Sequence, residues 1–208
     1  MANMNDRQDL IKHLSLGTRV LGNERVRKAF EEIDRADFVA DDYKCEAYED
    51  YPLPIGAGQT ISQPTTVALM FELLEPKGGD KILDVGSGSG WTTALLAHIV
   101  GERGKVIGVE IIPRLAEFGR KNLGKYQLTN ARIENALEGT IGWPDERPYD
   151  RILVSASAEE LPAGLLEQLK EGGILVMPIG GSVWKIKKLK SGFESKEYPG
   201  FAFVPLVV

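Results

Sequence analysis

The stretch Lys81-Ile82-Leu83-Asp84-Val85-Gly86-Ser87-Gly88-Ser89-Gly90 constrains the fold of this chain more than any other. A short apolar run ends in an acid and three alternate glycines. A helix-forming run, Trp91 to Val100, opens at once, and a second apolar run, Lys105-Val106-Ile107-Gly108-Val109-Glu110, ends in another acid. Together they form one complete βαβ unit with its glycines in the first turn. Glycine reaches φ > 0 without a steric penalty and lets a ligand approach the backbone, and an acid closing the second strand can accept hydrogen bonds from ribose hydroxyls. The pattern predicts a nucleotide-cofactor site; a purely structural tight turn is the competing reading of the glycines taken alone.

Spacing narrows the cofactor. A dinucleotide site wants G-x-G-x-x-G, because the pyrophosphate rests on the first helical turn and the third glycine lets helix and strand pack closely. Here the spacing is G-x-G-x-G, and Asp84 stands two residues before the first glycine. A carboxylate at that place repels phosphate and suits a cation such as the amino group or sulfonium of S-adenosylmethionine. The acids therefore favour that cofactor over NAD.

The remaining periodicity builds an α/β architecture around this unit. Leu10, Ile11 and Leu14 share one helical face and Val26, Ala29, Phe30 and Ile33 another, which predicts a helical lead-in over residues 5–33. Residues 50–64 carry Pro52, Pro54, Gly56, Gly58 and Pro64, too many breakers for a helix or a central strand, and read as a structured loop. Pro64 opens a helix, with Ser62 as candidate N-cap. Beyond Glu110 the pattern predicts a helix over 113–123, strands at 131–134 and 151–155, a helix at 162–170 and a strand at 173–178. An antiparallel pair, 182–190 and 201–207, follows. Strands alternating with helices specify a doubly wound, mostly parallel sheet, with ligands beyond the carboxyl ends of the strands. A single domain is expected, with residues 1–80 as helical lead-in and substrate loop, 81–178 as cofactor-binding core and 179–208 as C-terminal antiparallel strands.

Composition removes several function classes. The 208 residues are 43% hydrophobic, enough for one well-cored domain, and no apolar run approaches the ~18 residues that span a bilayer. The amino terminus carries Asp6, Arg7 and Asp9 instead of the apolar core of a secretory signal, so a cytoplasmic location is expected. A net charge of −5 argues against nucleic acid as partner. The basic run Trp184-Lys185-Ile186-Lys187-Lys188-Leu189-Lys190 alternates as a half-exposed strand does, and lysine commonly guards sheet edges; a nucleic-acid patch is the alternative. One cysteine, Cys45, and two histidines, His13 and His98, leave no disulfide framework and too few soft ligands for zinc. No structural metal is expected. Cys45 has no histidine near it in sequence and reads as a packed or idle thiol, and both histidines read as helix residues.

These residues resemble the protein-L-isoaspartate (D-aspartate) O-methyltransferase family over nearly the full chain. The likeness runs through Val26-Arg27-Lys28-Ala29-Phe30, Ile33-Asp34-Arg35-Ala36-Asp37-Phe38-Val39, Ala47-Tyr48-Glu49-Asp50, the Asp84 to Gly90 turn, Pro148-Tyr149-Asp150, Glu167-Gln168-Leu169-Lys170-Glu171-Gly172-Gly173 and Phe203-Val204-Pro205-Leu206. Its most specific part is Pro52-Leu53-Pro54-Ile55-Gly56-Ala57-Gly58-Gln59-Thr60-Ile61-Ser62-Gln63-Pro64. The resemblance implies a seven-stranded class I methyltransferase core. It also implies methyl transfer from S-adenosylmethionine to the α-carboxylate of L-isoaspartyl residues in aged proteins and peptides, giving S-adenosylhomocysteine. The ester then closes to a succinimide, whose hydrolysis returns part of the material to aspartate, so the implied role is protein repair. A monomer is expected.

The same resemblance distributes roles. Gln59, Thr60, Ile61 and Ser62 are expected around the substrate carboxylate, with Ser62 as the active-site donor. Asp84, Val85, Gly86, Ser87 and Gly88 are expected at the methionine part of the cofactor, Glu110 at the ribose and Ile111 against adenine. Leu137-Glu138-Gly139 stands where the family usually has Gly-Asp-Gly, so Glu138 is expected at the adenine amino group in place of the aspartate, with Leu137 and Gly139 beside it. Two other readings stand next to this one: a class I methyltransferase acting on a different acceptor, and a noncatalytic module that binds nucleosides or a partner protein.

Overall fold

The computed structural model of the chain describes residue 4 and residues 6–207. Residues 1–3, 5 and 208 lie outside the described residues, and with them part of the stretch read for a leader. The lead-in begins with α1 (Arg7–Lys12), where the Asp6 carboxylate accepts from the Asp9 N–H, and continues into a π-helical turn, His13–Gly17. The second helix, α2 (Glu24–Glu32), is capped by Asn23, whose side chain accepts from the Arg25 and Val26 N–H groups. Phe30 of α2 meets Phe71 and Trp91 edge-on at 6.5 and 5.5 Å. Such pairs are worth about 0.5–1.5 kcal/mol each beyond their area, so they fasten the lead-in to the core.

The stretch expected as a loop holds a hairpin, β1 (Leu53–Gly56) and β2 (Gln59–Ile61), antiparallel and separate from the main sheet. Its tip is Ala57-Gly58, both left-handed, with φ of 55° and 72°. That is the mirror-image turn whose twist matches two antiparallel strands. A two-stranded ribbon has an open edge on each side, which is why it tolerates the prolines that argued against a central strand. Next comes α3 (Pro64–Leu74), where the structure corrects the expected cap: Gln63, not Ser62, occupies the N-cap position, and no side chain bonds from there. Asp50 caps instead, accepting from the Thr65 N–H at 2.8 Å and from the Thr65 hydroxyl at 2.6 Å.

The main sheet contains β3 (Lys81–Val85), β4 (Lys105–Glu110), β5 (Ala131–Asn135), β6 (Tyr149–Val154), β7 (Leu169–Ile179), β8 (Ser182–Lys188) and β9 (Phe193–Pro199). Between them lie α4 (Trp91–Val100), α5 (Pro113–Leu123) and α6 (Ala163–Gln168). Strand order is β5-β4-β3-β6-β7-β8-β9, parallel from β5 to β7, with β8 and β9 antiparallel. Chain direction across the sheet reverses between β3 and β6, so the topological switch point opens above the glycine turn. Alternate residues feed opposite faces. Ile82, Val106, Leu153 and Val176 join the core shared with α2 to α5, whereas Leu83, Ile107, Ile152 and Leu175 join Leu165 of α6 and Tyr149 on the other side.

Two boundaries differ from the sequence reading. The helix expected over 162–170 ends at Gln168, and β7 starts at Leu169, ahead of Gly173, the expected first residue of that strand. The antiparallel partner of β8 is β9, not residues 201–207. The chain reverses at a tight turn closed by the Leu189 N–H on the Gly192 carbonyl, with Gly192 at φ 81°. The lysine-bearing strand is therefore internal, and the edge is β9, where Glu194, Lys196 and Glu197 are exposed. Residues 201–207 leave the sheet after Gly200 and run back beside Ser157, which donates from its N–H to the Val204 carbonyl and accepts from the Leu206 N–H, both at 2.8 Å.

Candidate active site

A cavity of about 360 Å³ lies beyond the carboxyl ends of β3, β4 and β6. One wall is the glycine turn, Val85 to Ser89, continued by Trp91 and Thr92 at the start of α4. The opposite wall is the hairpin, with Ile55 and Gln59 to Ser62. Glu110 to Pro113, Ala136, Thr140 to Gly142, Ser155, Ala156 and Val204 to Val207 close the rest.

The turn is held open by its own backbone. The Gly86 and Ser87 N–H groups both donate to the Val109 carbonyl, at 2.9 and 3.1 Å, which joins the ends of β3 and β4. Gly88 has φ of 51°, and a Cβ there would come within 3.1 Å of Ile55 Cδ1, filling the gap between the walls. Glu110, 6% exposed, ties the floor together: one carboxylate oxygen accepts from the Gly88 N–H and the other from the Ile112 N–H, both at 2.9 Å. Each oxygen retains a lone-pair direction for a ribose hydroxyl.

Asp84 sits beneath the turn, fully buried, and is not itself on the cavity surface. Its Oδ2 accepts from the Thr92 and Thr93 hydroxyls at 2.8 and 2.6 Å, while Oδ1 has no partner among the described residues. Burial pushes the carboxyl up to about 6; the Thr93 and Thr92 bonds oppose the rise and the Glu110 charge adds to it. The Ser87 hydroxyl is likewise buried and unpartnered. The Asp84 charge behind the turn and the Glu110 carboxylate on the cavity wall make this side of the cavity negative and acceptor-bearing, which fits the cationic methionine end and the ribose of S-adenosylmethionine. On the hairpin side, the Ser62 hydroxyl faces no capping duty, since Asp50 caps α3.

The structure thus brings Val85, Gly86, Ser87, Gly88, Glu110 and Ile111 together with Gln59, Thr60, Ile61 and Ser62 around one cavity. It does not bring Leu137, Glu138 or Gly139 into the lining. The Thr140 N–H donates to the Leu137 carbonyl at 3.0 Å and Gly139 has φ of 71°, so these residues form a turn whose tip points outward. Leu137 is 49% exposed, Glu138 is exposed, and Ala136 and Thr140 supply the wall on either side. Sequence reasoning missed Thr92 and Thr93, although hydroxyls in the helical turn after an acid-ended strand are a readable sign of a buried carboxylate. It also missed Trp91, and the strand assigned to 201–207 concealed the wall built by Val204 to Val207.

Comparison with known proteins places the chain among close relatives in sequence and fold. Residues 5–208 match the sequence pattern of the family described as Protein-L-isoaspartate(D-aspartate) O-methyltransferase (PCMT). A protein-L-isoaspartate O-methyltransferase of Methanopyrus kandleri is 45% identical over 97% of this chain and 91% of that protein. A β-aspartate methyltransferase from Plasmodium falciparum, solved in complex with S-adenosyl-L-homocysteine, superposes with a TM-score of 0.86 at 28% identity, covering 97% of this chain and 98% of that one. Another protein-L-isoaspartate O-methyltransferase structure gives a TM-score of 0.87 at 28% identity, with this chain covered to 97% and spanning 66% of the other's length. Matched by the family pattern over residues 5–208 and by a relative 45% identical over nearly its full length, the chain belongs to the protein-L-isoaspartate(D-aspartate) O-methyltransferase family.

Proposed function

We propose that the protein transfers a methyl group from S-adenosylmethionine to the α-carboxylate of L-isoaspartyl residues in aged proteins and peptides. The observation that carries this reading is the single cavity shared by the glycine turn and the Gln59 to Ser62 hairpin, in a chain matched to the family over residues 5–208. When bound, S-adenosylmethionine supplies a methyl group already activated by its sulfonium. Glu110 holds the ribose, Ile111 lies against adenine, and the charge of Asp84 acts through the turn on the methionine end. Gln59, Thr60 and Ser62 offer hydroxyl, amide and backbone donors to the acceptor carboxylate, with Ser62 orienting it.

No strong general base is required, because a carboxyl group of ordinary pKa is ionised at neutral pH. The residues supply position instead. Ile55, Val85 and Ile61 surround the acceptor with apolar surface, which limits water around the attacking oxygen. The substrates are proteins and peptides, and the protein acts on them in the cytoplasm as a monomer, without nucleic acid or membrane; a net charge of −5 disfavours a polyanionic partner, and no helix among the described residues is long and apolar enough to cross a membrane.

A pair of peptides differing only in an isoaspartyl or aspartyl linkage tests the function. Methyl transfer at least tenfold faster to the isoaspartyl peptide is expected, a difference of about 1.4 kcal/mol in transition-state stabilisation. Equal rates on both, or none on either with S-adenosylmethionine bound, would refute it.

A further inference from the structure

Arg35 is among the largest fully buried side chains, 2% exposed, and among the described residues its guanidinium pairs with backbone carbonyls and no carboxylate. Its guanidinium donates to four backbone carbonyls: Nη1 to Ala47 at 2.8 Å and Glu49 at 3.2 Å, Nη2 to Tyr51 at 3.0 Å and Ser62 at 3.1 Å. Its carbon sits 5.4 Å from the centre of the Trp91 ring. Burial pushes the group down to about 10, opposed by the Asp50 charge, so it stays a cation at neutral pH.

Burying an arginine without a carboxylate costs several kcal/mol in desolvation, and an apolar side chain of similar volume would be a less expensive way to fill the space. What the guanidinium provides is geometry. Tyr51 precedes β1 and Ser62 follows β2, so one nitrogen bridges the two ends of the hairpin. The hairpin shares no strand pairing with the main sheet, and no ladder therefore sets its distance from the cofactor turn. Trp91 is the first residue after Gly90 and lines the same cavity. Its contact with Arg35 joins the two walls.

We propose that Arg35 is the positioning residue for methyl transfer: it holds the hairpin, and with it Ser62, at the reacting distance from the cofactor turn. The inference rests on the proposed function, since it names the group that aligns its two substrates. Lysine keeps the charge but lacks the planar fork that reaches four carbonyls while lying over an indole.

The test compares Arg35→Lys and Arg35→Met with Tyr48→Phe, which removes the hydroxyl bonded to the Asp34 carboxylate in the same lead-in and leaves the Arg35 carbonyl contacts to the hairpin ends in place. In Arg35→Lys, kcat on the isoaspartyl peptide is expected to fall at least tenfold while the Kd for S-adenosylhomocysteine stays within about threefold, the split of a lost alignment rather than a lost binding contact. Arg35→Met should fall further, and Tyr48→Phe should keep its kcat even where its Tm drops as far. Amide exchange at Thr60, Ile61 and Ser62 should quicken in Arg35→Lys. An unchanged kcat in Arg35→Lys, or a kcat loss matched by loss of cofactor affinity, overturns the inference. A wild-type protein inert on the isoaspartyl peptide refutes the function instead; Arg35 is then judged on exchange alone, and unchanged exchange at the hairpin rejects it. Should Arg35→Met fail to fold, the lysine variant decides.

Discussion

In Asp84→Asn the side chain keeps its shape and an acceptor oxygen for the Thr92 and Thr93 hydroxyls but loses its charge. The native carboxyl is pushed up to about 6 by burial from a reference of 3.8. The folded protein thus holds this proton more tightly than the unfolded chain does. Such a group contributes stability that is fully present below the unfolded pKa and is lost as pH rises through the folded one. The span from 3.8 to about 6 corresponds to roughly 3 kcal/mol. Without ligand, Asp84→Asn should therefore be more stable than wild type by up to about 3 kcal/mol at pH 8, and the gap should close toward pH 4, where protonated aspartic acid and asparagine are near-isosteres. Urea unfolding of the ligand-free protein at stepped pH measures it. Parallel profiles for the two proteins, or a less stable variant at pH 8, would refute the reasoning. Cofactor affinity should move the other way, because the buried charge that is unfavourable without ligand attracts the cationic methionine end through the turn. An unchanged Kd for S-adenosylhomocysteine would remove Asp84 from the neighbourhood of the amino group.

Other expectations follow from the same contacts. Glu110→Ala should weaken S-adenosylhomocysteine binding by about 2–3 kcal/mol, and Glu110→Gln by about 1–3 kcal/mol, because an amide must turn a donor toward either the Gly88 or the Ile112 N–H; calorimetry checks both. Ser62→Ala should lower kcat on the isoaspartyl peptide at least tenfold with cofactor affinity unchanged; equal loss of both would place Ser62 at the cofactor instead. Glu138→Ala, at the outward turn, should leave the Kd for S-adenosylhomocysteine within about twofold, and a loss above about 1 kcal/mol would restore the adenine contact. Gly142→Ala should destabilise the fold by about 2 kcal/mol or more in thermal or urea unfolding: its φ is 77°, its Cβ would lie 2.6 Å from Gln168 Oε1, and Gln168 bonds Trp143, Ile141 and Gly164.

The core was legible because its signals are local. Three glycines between a strand and a helix, with acids at 84 and 110, prescribe a turn, a crossover and a switch point within thirty residues. The hairpin was legible as chemistry but not as structure: proline and glycine announce a break, and only the left-handed pair Ala57-Gly58 turns that break into two strands. What escaped depends on distance in sequence. Asp50 takes the cap of α3 from fifteen residues away, and Ser157 decides that residues 201–207 become a wall instead of a strand. Glu138 was expected at adenine through the family resemblance, which carries no information on where a turn points; the cavity wall runs from Ala136 to Thr140, and Gly139, at φ 71°, lets the backbone carry residues 137–139 outward.

The exposed charges of β9 bear on the company this protein keeps. Aged chains are often partly unfolded and carry unpaired strands, which add readily to any free sheet edge. Glu194, Lys196 and Glu197 line the outer strand, so annexing a neighbour's backbone there means crowding charges of both signs against it. A repair enzyme must handle damaged polypeptides without becoming a seed for their aggregation, and here the protective device stands at the far end of the sheet from the glycine turn, where it can be altered without disturbing the chemistry.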